Sequence, residues 1–308
     1  MVSGTHTEEN QALKLGIIFG GSSALIWGAW PVVTALGVDA NLTPYQLVMF
    51  RIFIAGPLLL PWALKGQHNL KEWGKVTILA LCAGAPYSFI ASSGFQYTSA
   101  THGGVIIPGT VMLTSLLVSH FLLGDRLNKY RMFGAAGIML GLALLAIGTP
   151  QIAGEPSSLK GDLLFVLAGL LWASYTLLLR VWPMDPIVVT ARVTFISLVG
   201  LIVIQPFTPA TDFSQIPNSM LAMQAVWQGV VSAIIAIMLF NKGVAIMGPA
   251  KAAVLNAIIP VVSTFLAFLI LSETPTVVEA LGLGAILCGI AVAMFLTPKP
   301  KERTKTTE

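Results

Sequence analysis

The chain has 308 residues, of which 56% are hydrophobic and only 10% are charged, with a formal net charge of +4. Soluble domains carry roughly 25% charged residues, so this chain has too little charge to cover a soluble core. Its positive residues lie between apolar runs, which indicates orientation in a membrane and not binding to nucleic acid. The two cysteines, Cys82 and Cys288, lie inside apolar runs and have neither metal-site nor disulfide spacing.

Apolar runs of helix length follow a polar stretch at residues 1–14. Ten such runs lie at 15–38, 45–64, 74–97, 101–123, 130–148, 160–180, 186–208, 219–245, 249–271 and 277–297. About 20 helical residues, rising 1.5 Å each, cross a hydrocarbon core of about 30 Å. Each run therefore predicts a transmembrane helix, and residues 1–14 and 298–308 are predicted to be polar tails, the first of them unstructured.

The positions of Lys and Arg predict the orientation of these spans. Of 17 such residues, Arg51, Arg192 and Lys251 are assigned to the spans. Of the other 14, 13 lie in one alternating set of connections and termini or at the run ends beside them. The opposite set holds only Lys160. Because Lys and Arg are retained on the cytoplasmic side, both tails are predicted to be cytoplasmic, and the linker at residues 150–159 periplasmic.

Residues 99–147 and 248–296 are two versions of one pattern. Asp125 in the first aligns with Glu273 in the second, and His102 aligns with Lys251. Five spans per half is an odd number, so the second half enters the membrane inverted. The pattern predicts an all-α membrane protein of ten transmembrane helices, built as two inverted five-helix repeats at 15–149 and 160–297 around a central cavity.

Several motifs carry a resemblance to a known family. An arginine lies early in spans two and seven (Arg51 and Arg192), spans four and nine begin SATHGG and GPAKAA, and the turns that follow read LLGDRL and LILSET. Over residues 15–297 these features resemble the EamA type of the drug/metabolite transporter superfamily. The resemblance implies a cavity lined mainly by spans 1, 3, 4, 6, 8 and 9, with spans 5 and 10 peripheral. It also implies transport of amino acids or other small metabolites, often outward, as in bacterial aromatic amino-acid exporters.

Aromatic and polar residues within the spans are the candidates for contact with substrate. Trp and Tyr usually lie at membrane interfaces, so aromatic residues in the middle of spans favour a cavity. His102 and Lys251 begin equivalent helices, where free backbone N–H groups favour an anion, although either side chain could instead be an interfacial anchor. The predicted substrate-binding residues are Trp30, Tyr87, His102, Trp172, Tyr175, Gln228, Asn256 and Lys251.

Two arginines and two prolines are predicted to have structural or gating roles. Arg51 and Arg192 lie at membrane depth, where a charge marks function, snorkelling or capping of carbonyl groups. Pro108 and Pro260 interrupt spans four and nine, and proline removes a backbone donor and bends the helix. Such breaks line the cavity or act as hinges in transporters.

The predicted function is alternating-access transport of small organic metabolites, with amino acids or related amphipathic solutes first, across a bacterial inner membrane. Drug or organic-cation transport and a nucleotide-sugar carrier are the alternatives within the superfamily. An intramembrane enzyme would need a clustered nucleophile, metal set or acid pair, and the sequence shows none. We expect no cofactor, no metal and a functional monomer. No span holds a carboxylate at its centre, which argues against a carboxylate relay and leaves exchange, uniport or coupling through His102 or His120 open.

Overall fold

The computed structural model describes residues 2–65, 69–123, 128–148, 158–208, 211–247 and 255–295. Within these ranges all regular structure is helical, without a strand. The first half contains α1 (Val2–Asp39), α2 (Pro44–Ala63), α3 (Leu70–Ala83), α4 (Ala85–Gly94), α5 (Ala100–Leu123) and α6 (Lys129–Gly148). The second half contains α7 (Ser158–Val181), α8 (Pro186–Ile204), α9 (Asn218–Val226), α10 (Ala236–Met247), α11 (Ile258–Leu271) and α12 (Val277–Phe295).

The outer surface of this helical bundle is apolar. Seven helical stretches of the described part are long and apolar enough to cross a membrane, and two shorter apolar helices, Ile258–Leu271 and Val277–Ala293, accompany them. Large side chains such as Phe121, Phe133 and Phe265 are more than half exposed. Such a surface would aggregate in water but is stable against lipid, so the fold is that of a multi-pass membrane protein.

The third apolar run forms two helices instead of one. Gly84 separates α3 from α4, with φ −90° and ψ −141°, and Pro86 lies in the first turn of α4. Proline is tolerated at that position because the first N–H groups of a helix have no partner within it. The backbone N–H of Ala85 instead donates to the Ser197 hydroxyl of α8 at 3.0 Å, so a side chain of the second half satisfies the break.

Two further elements depart from regular α-helix. Residues Trp227–Ile235 form a π-helical segment that joins α9 to α10 within one long span, Asn218–Met247. π-Helical insertions widen the turn and often occur at functional sites. At Ala257 a turn precedes α11, which places Pro260 in the first turn of that helix. Residues 248–254, which include the predicted start of span nine, lie outside the described residues.

The prediction that residues 1–14 are unstructured is wrong, because the described part of this stretch is helical. Helix α1 begins at Val2 and continues without a break into the first span. The segment from Gln11 to Lys14 consists of residues with high helix propensity, so the helix of the span extends into the polar stretch.

The main helix contacts join the two halves of the chain. The most extensive of these pair α6 with α12, α1 with α10, α2 with α8, and α5 with α7. Glycines permit the close approach of α6 and α12: a Cβ atom on Gly289 would lie 2.6 Å from the Gly134 carbonyl oxygen. Helices in lipid associate through such van der Waals packing because no hydrophobic driving force acts between them. Each half therefore depends on the other for its packing.

We expect Gly289→Ala to lower the free energy of unfolding by about 1–3 kcal/mol, the usual result of overpacking, because backbone atoms of α6 leave no room for a methyl group. Gly284→Ala on the same helix is the matched control, since a Cβ atom there would meet nothing within 4 Å. Thermal unfolding in detergent measures both variants. Equal melting temperatures would contradict the proposed close contact.

Candidate functional site

A cavity of about 50 Å³ lies between the two halves, beside the break in the third span. The first half contributes Arg51 from α2 and Gly84 from the break, and the second half contributes Trp172 and Tyr175 from α7. Thr190 and Thr194 of α8 and Ala233 of the π-helical segment also line the cavity, and five further apolar residues form the rest of the wall. Both threonine hydroxyls donate to backbone carbonyls one turn earlier. The cavity therefore has one cationic side chain, two aromatic side chains and hydroxyl groups that can still accept hydrogen bonds.

Arg51 is the one charged residue that lines this cavity. Its Nη1 donates to the Ser232 hydroxyl at 3.3 Å. No carboxylate of the described residues forms an ion pair with Arg51. A guanidinium at membrane depth without a counter-ion is costly, so this position can favour an anionic group of a bound solute.

The aromatic wall continues beyond the cavity lining. The ring of Tyr87 from α4 lies 5.0 Å from that of Trp172, which in turn lies 5.4 Å from Tyr175. These separations are typical of packed aromatic pairs. Three of the aromatic residues predicted for the site, Tyr87, Trp172 and Tyr175, are therefore brought together by α4 and α7.

Trp30 and Gln228 do not line this cavity. They belong to a polar network between α1 and the π-helical segment. The Trp30 indole Nε1 donates to Gln228 Oε1 at 2.9 Å, and Gln228 Nε2 donates to Thr34 and to Gln224 at 3.1 and 3.2 Å. Gln228 is 2% exposed, so its amide is occupied by protein groups in this conformation. The network orients the Trp30 ring, whose other neighbour is Phe95 at 5.8 Å.

Arg192 differs from Arg51 in its surroundings. It is 3% exposed, and its guanidinium donates to the carbonyl oxygens of Ala63 and Lys65 at 3.2 and 2.9 Å and forms an ion pair with Glu72. These bonds tie the end of α2 and the start of α3 to α8. The Nε, Nη1 and Nη2 atoms of the guanidinium each have a protein partner, as expected for an arginine with a structural role.

A second polar cluster lies at the opposite end of the bundle from Arg192 and is called here the His102 end. His102, in the first turn of α5, lies with Nδ1 2.7 Å from Oδ1 of Asp162 on α7 and Nε2 3.5 Å from Oε1 of Glu279 on α12. All three side chains are buried. Glu279 is fixed by a capping box, in which its other oxygen accepts the Thr276 backbone N–H at 2.7 Å.

Glu273 closes the same end through the backbone of α5. Its two carboxylate oxygens accept the N–H groups of Ala100 and Thr101 at 2.7 and 2.8 Å, and the Thr101 hydroxyl also donates to it. A negative charge at a helix N-terminus is favourable because it satisfies free N–H groups and opposes the helix dipole. Ser272, in the left-handed region with φ 54°, ends α11 and turns the chain toward α5.

Residues 14–147 and 159–295 match the EamA-like transporter family. The chain belongs to this family. Over 302 residues it is 27% identical to the uncharacterized transporter YoaV of Bacillus subtilis, covering 94% of this chain and 99% of YoaV. Over 219 residues it is 26% identical to the uncharacterized transporter YetK of the same organism, covering 70% of this chain and 66% of YetK. A crystal structure with 21% identity and a TM-score of 0.61, covering 92% of this chain and 99% of that one, shows the same fold.

The two matched segments give this EamA-family chain a two-repeat architecture, and each polar cluster joins the repeats. His102 belongs to the first segment, whereas Asp162, Glu273 and Glu279 belong to the second. Arg51 likewise belongs to the first segment and Trp172 to the second. Movement of the repeats against one another would therefore change these polar and aromatic contacts.

The prediction against a carboxylate relay rests on each span taken separately, and each carboxylate does lie near an end of its own helix. The ends of α5, α7 and α12 meet in the fold, which buries Asp162 and Glu279 beside His102. The capping-box sequence Thr-x-x-Glu at Thr276 was the available signal, because it fixes Glu279 at the start of α12.

The remaining predicted residues that the structure describes lie apart from the Arg51 cavity and from the His102 cluster. Pro108 lies within α5, and Pro260 lies in the first turn of α11. Asn256 precedes that turn, and its side-chain oxygen is buried with no hydrogen-bond partner among the described residues. Lys251 lies outside the described residues.

Removing the charge of Glu273 should loosen the His102 end, because two backbone N–H groups would lose a charged acceptor. We expect Glu273→Gln to increase labelling by a membrane-impermeant maleimide of a cysteine placed at Ala100, which is fully buried, in a background without Cys82 and Cys288. Asp212→Asn, at a carboxylate outside the spans that accepts the N–H of the nearby Ser214, is the control. Unchanged labelling in Glu273→Gln would show that Glu273 does not hold this end closed.

Proposed function

We propose that the chain is a secondary or facilitative transporter that moves small organic solutes by alternating access, with the Arg51 cavity as its substrate site. The observation that carries this proposal is a guanidinium at membrane depth that faces a cavity between the repeats and has no described carboxylate partner. Membership in the EamA-like transporter family supports the general class. Inverted five-helix repeats allow such a site to open to either side when the repeats exchange conformations.

Amino acids with apolar or aromatic side chains are the substrate class that suits the lining best. Arg51 supplies a bidentate partner for a carboxylate, and the hydroxyls of Thr190 and Thr194 retain lone pairs that can accept from an ammonium group. Trp172 and Tyr175 supply the apolar wall. An organic cation would meet the charge of Arg51 unfavourably, and a nucleotide-sugar would require several converging cations.

The present conformation is closed around the site. About 50 Å³ is far less than the roughly 300–1,000 Å³ of pockets that hold small ligands, so the helices must separate for a substrate to enter.

The distribution of Lys and Arg supports cytoplasmic termini in a bacterial inner membrane of ten spans, which would place the His102 end outside. We propose export as the physiological direction.

Counterflow in proteoliposomes tests this function. Vesicles are preloaded in turn with each unlabelled proteinogenic amino acid or with an amphipathic cation such as tetraphenylphosphonium, and uptake of the labelled compound is followed. We expect saturable, trans-stimulated uptake of amino acids with apolar or aromatic side chains. Uptake confined to the cation would instead assign organic-cation transport, and no uptake of any compound would contradict the proposed substrate class.

Two variants locate the site within the same assay. Arg51→Gln should raise KM for the amino acid by roughly 10–100-fold, the range expected for losing one charge-assisted contact. Trp172→Ala should also weaken transport, whereas Trp62→Ala should not, because Trp62 lies on α2 with 37% of its surface exposed at the outside of the bundle. Normal kinetics in both cavity variants would remove this cavity from the transport path.

A further inference from the structure

The His102 cluster combines burial with an excess of negative charge. His102, Asp162 and Glu279 are 3%, 6% and 9% exposed, and the imidazole lies between the two carboxylates. Two buried carboxylates beside a neutral imidazole would carry two negative charges, and a protonated imidazole reduces this to one. A buried group of this kind either holds a partner ion or takes up a proton.

Among the residues that the structure describes, no neighbouring cation supplies the missing positive charge. Lys160, on α7 two residues before Asp162, donates to the Tyr97 hydroxyl at 2.7 Å and lies over the Tyr97 ring. The described Lys and Arg residues form no ion pair with Asp162 or Glu279. The other acids at this end add negative charge: Glu273 caps α5, and Asp39 at the end of α1 interacts electrostatically with Glu273.

An unsatisfied atom points to the same conclusion independently. The second carboxylate oxygen of Asp162, Oδ2, is buried and has no hydrogen-bond partner among the described residues. A buried acceptor without a partner is costly, so this cluster is short of hydrogen-bond donors. The described residues offer no set of three or more His, Cys, Asp or Glu side chains arranged for a metal ion. An imidazole held between two carboxylates is a group that binds a proton.

We propose that His102, Asp162 and Glu279 form a proton-binding site whose occupancy controls the opening of the His102 end and couples transport to a proton gradient. This inference rests on the proposed transport function. The site connects the repeats, because His102 lies in the first and its two carboxylate partners lie in the second. Any movement that opens this end must separate the imidazole from at least one of them.

The proton changes the strength of that connection. The imidazolium can donate from Nδ1 to Asp162 and from Nε2 to Glu279 at the same time, which stabilises closure. When the proton leaves to water, the neutral imidazole has a single N–H and can donate to only one carboxylate. The other carboxylate loses its contact with a positive charge while it stays buried, which favours opening. By linkage, low pH on this side favours closure.

The coupling of transport to the proton gradient depends on the side from which the proton binds this site and the side to which it is released. Water reaches the imidazole once this end has opened, so a proton is taken up from the aqueous phase there and closure follows. Release of the same proton toward the opposite phase in each cycle makes net transport respond to a pH difference. Exchange of substrate across the membrane needs no net proton movement, so exchange and gradient-driven transport can be separated experimentally.

The test compares these two activities in proteoliposomes, with the labelled amino acid that gives the largest counterflow signal and with pyranine inside the vesicles as a proton indicator. We expect a pH gradient to drive substrate accumulation in the native protein, accompanied by proton movement. In His102→Gln and in Asp162→Asn, gradient-driven accumulation should fall by about tenfold or more, as for the loss of a coupling free energy, while counterflow by Asp162→Asn stays within about twofold.

His120→Gln is the matched control, because His120 lies on the same helix as His102, 18 residues further along, near its other end. It should retain both activities. Counterflow in the native protein without any response to a pH gradient would overturn the coupling and leave the proposed function intact. Full gradient-driven accumulation in both His102→Gln and Asp162→Asn would also overturn it. No counterflow in the native protein would contradict the proposed function itself.

Discussion

The carboxylate of Glu273 closes one end of the bundle by accepting the first free N–H groups of α5. In lipid or in a buried interface these groups have no water to bind, so their partner must come from the protein. Here the partner comes from the other repeat. The contact explains why α5 can begin inside the bundle with small residues and why His102 in its first turn is buried. The closed conformation at the His102 end therefore includes this carboxylate as one of its contacts between the repeats.

Arg192, Arg51 and the His102 cluster have different surroundings, and these surroundings separate their proposed roles. Arg192 has an ion-pair partner and two carbonyl acceptors, so it ties three helices together and has nothing left for a solute. Arg51 has a hydroxyl acceptor and a cavity. The His102 cluster has more negative than positive charge. A satisfied charge is suited to structure, an unpaired cation to an anionic substrate, and an excess of carboxylates to a proton.

The sequence predicted the helical class, the two-repeat division and most helix positions, because apolar length and glycine spacing are local signals. It did not predict the break at Gly84 as a cavity wall, since that depends on Ser197 of a distant helix. The aromatic residues Trp172 and Tyr175 were recognised from their depth in a span. The His102 cluster was missed because three helix ends had to meet before its charges became neighbours, and periodicity carries no information on which ends meet.

The distance across the His102 end is the most direct test of a carrier that opens there. Spin labels at the exposed Gln96 and Thr274, in protein without Cys82 and Cys288, flank the contact between Glu273 and α5. Double electron–electron resonance in lipid nanodiscs should show two distance populations whose ratio changes when a transported amino acid is added. One narrow distance that stays the same with and without amino acid, and at every pH, would contradict alternating access through this end.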